Sequence, residues 1–242
     1  MLELSARKRI ILSIDTSDEK QAEQLIKLAK ESGARFIKLG LEFQSATSWR
    51  RCSEMAGENS IEWVADAKIH DISNTSQKIM QNISGLPYPP FGITMHTTAG
   101  QEAMRLAQKE VGKINVLGVT VLTSIAAEEV EHIYHVPVDQ KVMELAEDAA
   151  QAKLAGIVAS AQEVGMIKKN PKTSHLITMI PGTRSLTAQK GDQARVATPE
   201  EAIRDQADLL VIGRQVTEAA DPKREFEALV SEIESALKQE VI

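Results

Sequence analysis

Eight short apolar stretches recur along the chain, and most of them are rich in valine and isoleucine. They are too short for typical helices, and near-continuous apolar runs are characteristic of parallel strands covered on both faces. We therefore predict eight buried strands, at Ile10–Ile14, Arg35–Leu39, Ile61–Ala65, Gly92–Met95, Asn115–Thr120, Gly156–Ala159, Leu176–Ile180 and Leu209–Ile212.

Segments with apolar residues at helical spacing alternate with these stretches. The pattern predicts helices at Asp18–Ser32, Gln101–Val111, Asp139–Leu154, after Thr198-Pro199, and at Lys223–Leu237. Strands that alternate with helices predict an α/β fold, a (β/α)8 TIM barrel that residues 1–242 form as a single domain. The competing architecture is an open doubly wound sheet, which usually has a glycine-rich turn after its first strand, and Asp15–Asp18 is not such a turn.

Composition narrows the class of protein. Of 242 residues, 43% are hydrophobic and 26% are charged, which is ordinary for a globular protein. The net charge of −6 does not favour nucleic acid or anionic membranes as partners. Cys52 is the single cysteine, which excludes an intrachain disulfide and a cysteine-based zinc site. With no long apolar segment either, the sequence predicts a cytoplasmic protein without a membrane partner.

Charged residues cluster where the predicted strands end, which is where TIM barrels place their active sites. On a strand, residues two apart share a face, so Asp66 and Lys68 are expected to point the same way. Alternating lysines and aspartates stabilise each other's ionised forms. A buried salt-bridge network is the purely structural interpretation, but so many charges at this end of a barrel favour chemistry. The set comprises Asp15, Lys38, Asp66, Lys68 and Asp71.

The segments after the last two strands are typical of an anion site. Arg184 follows the seventh strand in Pro181–Arg184, Gln193 lies further along the same loop, and Gly213-Arg214 follows the eighth strand. In TIM barrels these loops commonly hold phosphate, and arginine offers paired donors to phosphate oxygens. The sequence therefore predicts a small phosphorylated substrate.

The segment Asp66–Thr75 resembles the D-x-K-x-x-D-I-P-N-T signature of the orotidine 5′-phosphate decarboxylase family. The resemblance continues in order along the chain, through Val119–Ser124, Pro181–Arg184, Gly191–Arg195 and Val211–Arg214. It departs from the family pattern at Ser73, which stands where proline is usual, and at Ala65 and Ala67, where larger apolar residues are common.

This resemblance implies conversion of orotidine 5′-monophosphate to uridine 5′-monophosphate (UMP) and CO₂, without a cofactor or a metal. Lys68 would be the general acid that protonates C6, and Asp66 would lie against the substrate carboxylate. The family also implies a homodimer in which Asp71 and Thr75 reach into the neighbouring site. By the same resemblance, the remaining substrate contacts would come from Asp15, Lys38, Thr123, Arg184, Gln193, Gly213 and Arg214.

Two alternatives stay open at this point. One is a Mg²⁺-dependent sugar-phosphate decarboxylase or aldolase of the same superfamily, in which the metal stabilises an enediolate. The other is a catalytically silent barrel that binds nucleotides. Metal dependence and substrate choice distinguish the first from the main interpretation, and turnover distinguishes the second.

Overall fold

The computed structural model describes residues 4–185 and 197–239 and contains a closed barrel of eight parallel strands, paired in sequence order from first to last. The predicted α/β barrel is therefore confirmed. The strands are β1 (Ile10–Ile14), β2 (Phe36–Gly40), β3 (Glu62–Ile69), β4 (Gly92–His96), β5 (Asn115–Val119), β6 (Gly156–Val158), β7 (Ile177–Pro181) and β8 (Leu209–Ile212).

Helices follow the strands and cover the barrel. The helices of the described residues are α1 (Ala6–Arg9), α2 (Glu19–Glu31), α3 (Leu41–Ala46), α4 (Trp49–Glu58), α5 (Ser73–Ser84), α6 (Gln101–Val111), α7 (Ala127–Tyr134), α8 (Val138–Gln151), α9 (Ala161–Lys169), α10 (Pro199–Arg204), α11 (Arg214–Thr217) and α12 (Pro222–Gln239). None of these has both the length and the apolar character needed to cross a membrane.

The helix boundaries follow from local chemistry. The side chain of Asp18 accepts a hydrogen bond from Gln21 N at 3.0 Å, so α2 begins one residue later than predicted. The Thr198 side chain caps α10 in the same way, with Pro199 in its first turn. Helix α8 ends three residues before the predicted Leu154, because Lys153 has a positive φ of 62°.

Apolar side chains fill the barrel in a layer separate from the larger core between strands and helices. The inner layer consists of Ile11, Phe36, Val64, Leu117, Met179, Leu209 and Val211. Since side chains alternate between the two faces of a strand, the residues two positions further along face the same way. On β1, β2 and β3 these next inward positions are Ser13, Lys38 and Asp66. The apolar interior thus gives way to polar groups at the carboxyl ends of the strands.

A buried ion pair lies at the opposite, amino-terminal end of the barrel. Asp208 directly precedes β8, and its Oδ2 lies 2.6 Å from Lys168 Nζ. The Thr178 hydroxyl donates to the same oxygen at 3.1 Å and accepts from Asp208 N at 3.0 Å. The side chains of Lys168 and Asp208 are only 5% and 1% exposed. We call Asp208, Lys168 and Thr178 the lower cluster.

Candidate active site

A cavity of about 260 Å³ opens at the carboxyl ends of the strands. This is the end where the loops of a TIM barrel build their active sites. Most of the residues predicted for the site line this cavity, namely Asp15, Lys38, Asp66, Lys68, Thr123, Arg184, Gly213 and Arg214. Residues from distant parts of the sequence therefore meet at one opening.

Asp66 is the centre of the charged network in this cavity. Its Oδ2 lies 2.9 Å from Lys38 Nζ and 2.7 Å from Lys68 Nζ. Its Oδ1 accepts a hydrogen bond of 2.9 Å from the hydroxyl of Thr94. We call Asp66, Lys38, Lys68 and Thr94 the upper cluster. Both oxygens of the central carboxylate are thus bound, so its orientation is held from two sides.

Burial and charge act in opposite directions on the ionisation of this network. Burial favours the neutral form of Asp66, but the Lys38 and Lys68 ammonium groups outweigh it and hold the carboxyl pKa well below its usual range. Burial would likewise lower the pKa of Lys38, but the carboxylates of Asp66 and Asp15 raise it. Both groups are therefore charged at neutral pH.

Lys68 differs from its neighbours in its access to the cavity. Its side chain is 35% exposed, whereas those of Lys38 and Asp66 are 11% and 9% exposed. Lys38 is enclosed between Asp66 and Asp15, whose Oδ1 lies 3.4 Å from its Nζ. Of the two ammonium groups, that of Lys68 is therefore the more accessible to a bound ligand.

The backbone of β3 departs from a regular strand at this point. The pairing with β4 moves from Ala65–Ile93 to Ile69–Met95, so three residues of β3 stand opposite Thr94 alone. Lys68 has a φ of +44°, a backbone conformation that is strained for any residue other than glycine and costs on the order of 1–3 kcal/mol. The prediction that strand three ends at Ala65 is therefore wrong, because the strand continues through this bulge to Ile69.

Asp15 is held by a residue that the sequence did not single out. The Ser13 hydroxyl donates to Asp15 Oδ2 at 2.7 Å, while Asp15 Oδ1 faces Lys38. The Asp15 side chain is 53% exposed at the cavity. A carboxylate fixed in this way presents acceptors to hydroxyl groups of a ligand.

Two arginines lie at the far side of the same cavity. Arg184 follows β7, and Gly182 between them has a φ of +78°. The backbone N–H of Arg184 donates to Ala197 O at 3.0 Å. Burial and the nearby charge of Arg214 lower the pKa of the Arg184 guanidinium. Because an anion between the two cations would relieve their repulsion, the arrangement suits a phosphate group.

Among the described residues, Asp71 and Thr75 do not line this cavity. The Asp71 carboxylate is exposed and accepts from Ile72 N at 2.7 Å, and Ile72 beside it is 71% exposed. Thr75 lies on α5 and is half-buried. Gln193 lies outside the described residues. Asp71 therefore lies outside the charged network that Asp66 centres, and its role across a dimer interface stays a prediction.

Ser13 and Thr94 are the polar residues that sequence reasoning missed. Each is a lone hydroxyl within an apolar strand, and such residues usually only fill space in a sheet. The signal that could have found them is their inward position on a strand of the barrel, where the structure brings Ser13 to Asp15 and Thr94 to Asp66. In the part of the chain that the structure describes, no three His, Cys, Asp or Glu side chains are grouped as metal ligands.

Comparisons with known proteins agree with this geometry. Residues 8–229 match the orotidine 5′-phosphate decarboxylase / HUMPS family. The orotidine 5′-phosphate decarboxylase of Carboxydothermus hydrogenoformans is 33% identical over 239 residues, covering 95% of this chain and 98% of the relative. That of Sphingopyxis alaskensis is 39% identical over 198 residues, covering 79% and 86% of the two chains.

Solved structures show the same fold. The orotidine 5′-phosphate decarboxylase of Lactobacillus acidophilus aligns with a TM-score of 0.78 at 24% identity, over 93% of this chain and 99% of that one. The enzyme of Pyrococcus horikoshii aligns with a TM-score of 0.73 at 21% identity, over 93% and 98% of the two chains. At this level of identity the likeness concerns the barrel itself.

Proposed function

Because the chain belongs to the orotidine 5′-phosphate decarboxylase / HUMPS family, we propose that Lys68 protonates C6 of orotidine 5′-monophosphate as CO₂ leaves. The overall activity is conversion of orotidine 5′-monophosphate to UMP and CO₂, a step of pyrimidine biosynthesis. The bond between C6 and the carboxylate carbon breaks, and its electron pair stays on C6. A proton from Lys68 Nζ then completes UMP, and the amine regains a proton from solvent.

The position of the Lys68 ammonium carries this proposal. It lies 2.7 Å from Asp66 and is the lysine of the upper cluster with most access to the cavity. A carbanion at C6 is very unstable in water, so the site must stabilise charge that develops on carbon. A cation already fixed in place does so without reorganisation, and it can also donate the proton.

Asp66 acts on the same bond by destabilising the carboxylate of the bound substrate. We place the substrate carboxylate beside it, where two carboxylates repel each other in a partly desolvated site. Loss of CO₂ removes one of the two charges and leaves Asp66 paired with its lysines. Lys38 supports this arrangement because it is buried against Asp66 and keeps that carboxylate ionised.

The rest of the cavity is assigned by the chemistry of the substrate. Arg184, Arg214 and the backbone at Gly213 would bind the phosphate. Asp15 and Lys38 would contact the ribose hydroxyls, and Thr123 would contact the pyrimidine. Gln193 is assigned to the phosphate side by sequence resemblance alone. Binding energy gained at the phosphate is remote from C6, so substrates without phosphate should lose kcat as well as affinity.

We further propose a homodimer in which Asp71 and Thr75 complete the site of the partner. Asp71 is exposed, and the neighbouring Ile72 is a large apolar side chain with 71% exposure. A charged group beside an exposed apolar residue, just past the carboxyl end of β3, fits a shared interface. If the sites are shared, specific activity should fall on dilution as dimers dissociate. The location of the protein in the cytoplasm remains a prediction from the sequence.

The decisive experiment mixes the purified protein with orotidine 5′-monophosphate and excess EDTA and follows the loss of orotate absorbance. Rapid conversion to UMP that Lys68→Ala abolishes, and that Lys109→Ala on the outer helix α6 leaves unchanged, would support the proposal. No conversion by folded protein would contradict it, and sugar phosphates with added Mg²⁺ would then be tried. Nucleotide binding without turnover in the unmodified protein would instead indicate the silent barrel.

A further inference from the structure

We propose that Thr94 is a positioning residue for the decarboxylation, and that its single hydroxyl holds Asp66 and Lys68 in their reactive arrangement. The hydroxyl donates to Asp66 Oδ1 at 2.9 Å and accepts from Lys68 N at 2.9 Å. Thr94 is completely buried and lies in the middle of β4. It is not a cavity-lining residue, so it acts on the substrate only through its two partners. The inference rests on the proposed role of Lys68.

The bulge in β3 explains why a hydroxyl is needed at this position. Three residues of β3, from Asp66 to Lys68, stand opposite the single residue Thr94 of β4. The Lys68 backbone is in the left-handed region and points its N–H to the Thr94 side chain instead of to a strand carbonyl. Strained backbone of this kind persists only where its surroundings hold it. The Thr94 hydroxyl supplies the acceptor that the bulge would otherwise leave missing.

The second bond of the hydroxyl controls the carboxylate. Asp66 Oδ2 is bound by both lysine ammonium groups, and Oδ1 is bound by Thr94. With Oδ1 released, the carboxylate can rotate about its side-chain torsion, and the Lys68 ammonium moves with it. A displacement of about 1 Å at a reacting group can lower a rate roughly 100-fold. Thr94 therefore ties the backbone position of Lys68 to the position of its ammonium partner.

The chain contains a close match for this arrangement that is remote from the cavity. In the lower cluster, the Thr178 hydroxyl also donates to a buried carboxylate and accepts from a backbone N–H, at 3.1 and 3.0 Å. Thr178 is completely buried and lies on β7 at the amino-terminal end of the barrel. Thr178→Val therefore removes the same kind of hydroxyl without touching the site.

The experiment compares Thr94→Val, Thr94→Ser and Thr178→Val in steady-state kinetics, UMP binding and thermal unfolding. We expect Thr94→Val to lower kcat by roughly 10- to 100-fold, the effect of losing one hydrogen bond to a charged group. The affinity for UMP should stay within about threefold, because the phosphate contacts are unchanged. Thr94→Ser should restore most of kcat, and Thr178→Val should lower the melting temperature while leaving kcat within about twofold.

Several results would overturn the inference. One is a kcat of Thr94→Val equal to that of the unmodified protein. Another is a serine variant as slow as the valine variant at equal folded content, since the hydroxyl would then not be the cause. If the valine variant does not fold, hydrogen exchange in the unmodified protein decides, and a Lys68 amide as unprotected as an exposed loop amide would refute the bond. Inactivity of the unmodified protein would refute the proposed function instead.

Discussion

The barrel contains two buried aspartates that have the same kinds of partner at opposite ends of the strands. Asp66 in the upper cluster and Asp208 in the lower cluster are each bound by a lysine ammonium and by a threonine hydroxyl. Lys168 lies 2.6 Å from its carboxylate and Lys68 lies 2.7 Å from its own, so the ion pairs themselves are alike. The types of residue therefore do not explain why the lower cluster is structural while the upper cluster lies at the candidate active site.

The difference lies in exposure to the cavity. In the lower cluster the side chains of Lys168 and Asp208 are almost completely enclosed, and the buried Arg9 guanidinium donates to the Asp208 carbonyl oxygen at 3.3 Å. The upper cluster holds two lysines on one carboxylate, and the second of them, Lys68, opens onto the cavity with 35% exposure. A sealed ion pair can only connect elements of the fold. A pair with an additional cation facing a cavity can meet a substrate anion and move a proton.

The largest expected effect comes from removing the lysine of each cluster in turn. Lys68→Ala should lower kcat by roughly 10⁴-fold, because it removes both the acid and the fixed cation, and it should change thermal stability little. Lys168→Met should lower the free energy of unfolding by about 3–5 kcal/mol, because it removes one partner of a buried ion pair, while its folded fraction keeps normal kcat. Steady-state kinetics and urea unfolding on both variants measure these effects. A slow Lys168→Met enzyme with normal folded content would show that the two clusters are not separate.

A smaller effect is expected at the arginines on the far side of the cavity. Arg214→Ala should raise KM by roughly 10- to 100-fold, the loss of charge-assisted bonds to phosphate. The rise in melting temperature that UMP produces should also shrink, by the smaller amount that its logarithmic dependence on affinity gives. Uridine, which lacks the phosphate, serves as the control ligand, and its weak binding should be unaffected. Equal losses for UMP and uridine would place Arg214 at the base or ribose and not at the phosphate.

The contrast between the clusters also shows which parts of the molecule were predictable. The strands could be predicted because parallel strands in a barrel are buried on both faces, which gives runs such as Ile10–Ile14 and Leu209–Ile212. The pairing of Asp66 with Lys68 was expected from their spacing, and they do meet. The backbone that brings them together is nevertheless a bulge with a positive φ at Lys68, not the regular pleat on which the expectation rested.

The bulge could not be predicted because no local signal marks it. Neither glycine nor proline occurs between Ala65 and Ile69, and the irregularity depends on pairing with β4, which is distant in sequence. Thr94 was missed for the same reason, since its importance arises only when β3 lies beside it. The direction of Asp71 likewise depends on how the chain leaves β3. Long-range pairing therefore accounts for most of what sequence reasoning left open at the site.

The smallest effect expected is a difference in the acid titration of Asp66. Its pKa is held below the usual value, so its contribution to stability is present in full above about pH 5 and is lost only as the pH falls through the lowered pKa. In carbon-detected NMR, the Asp66 carboxyl should therefore stay ionised well below pH 4, the ordinary midpoint for aspartate being about 3.9. Lys38→Met removes one of its two cations and should move the titration to higher pH. An Asp66 that titrates near its ordinary value in the unmodified protein, unchanged by Lys38→Met, would mean that the lysines do not hold its charge. The upper cluster would then lack the coupling by which a cation at the cavity is fixed for chemistry.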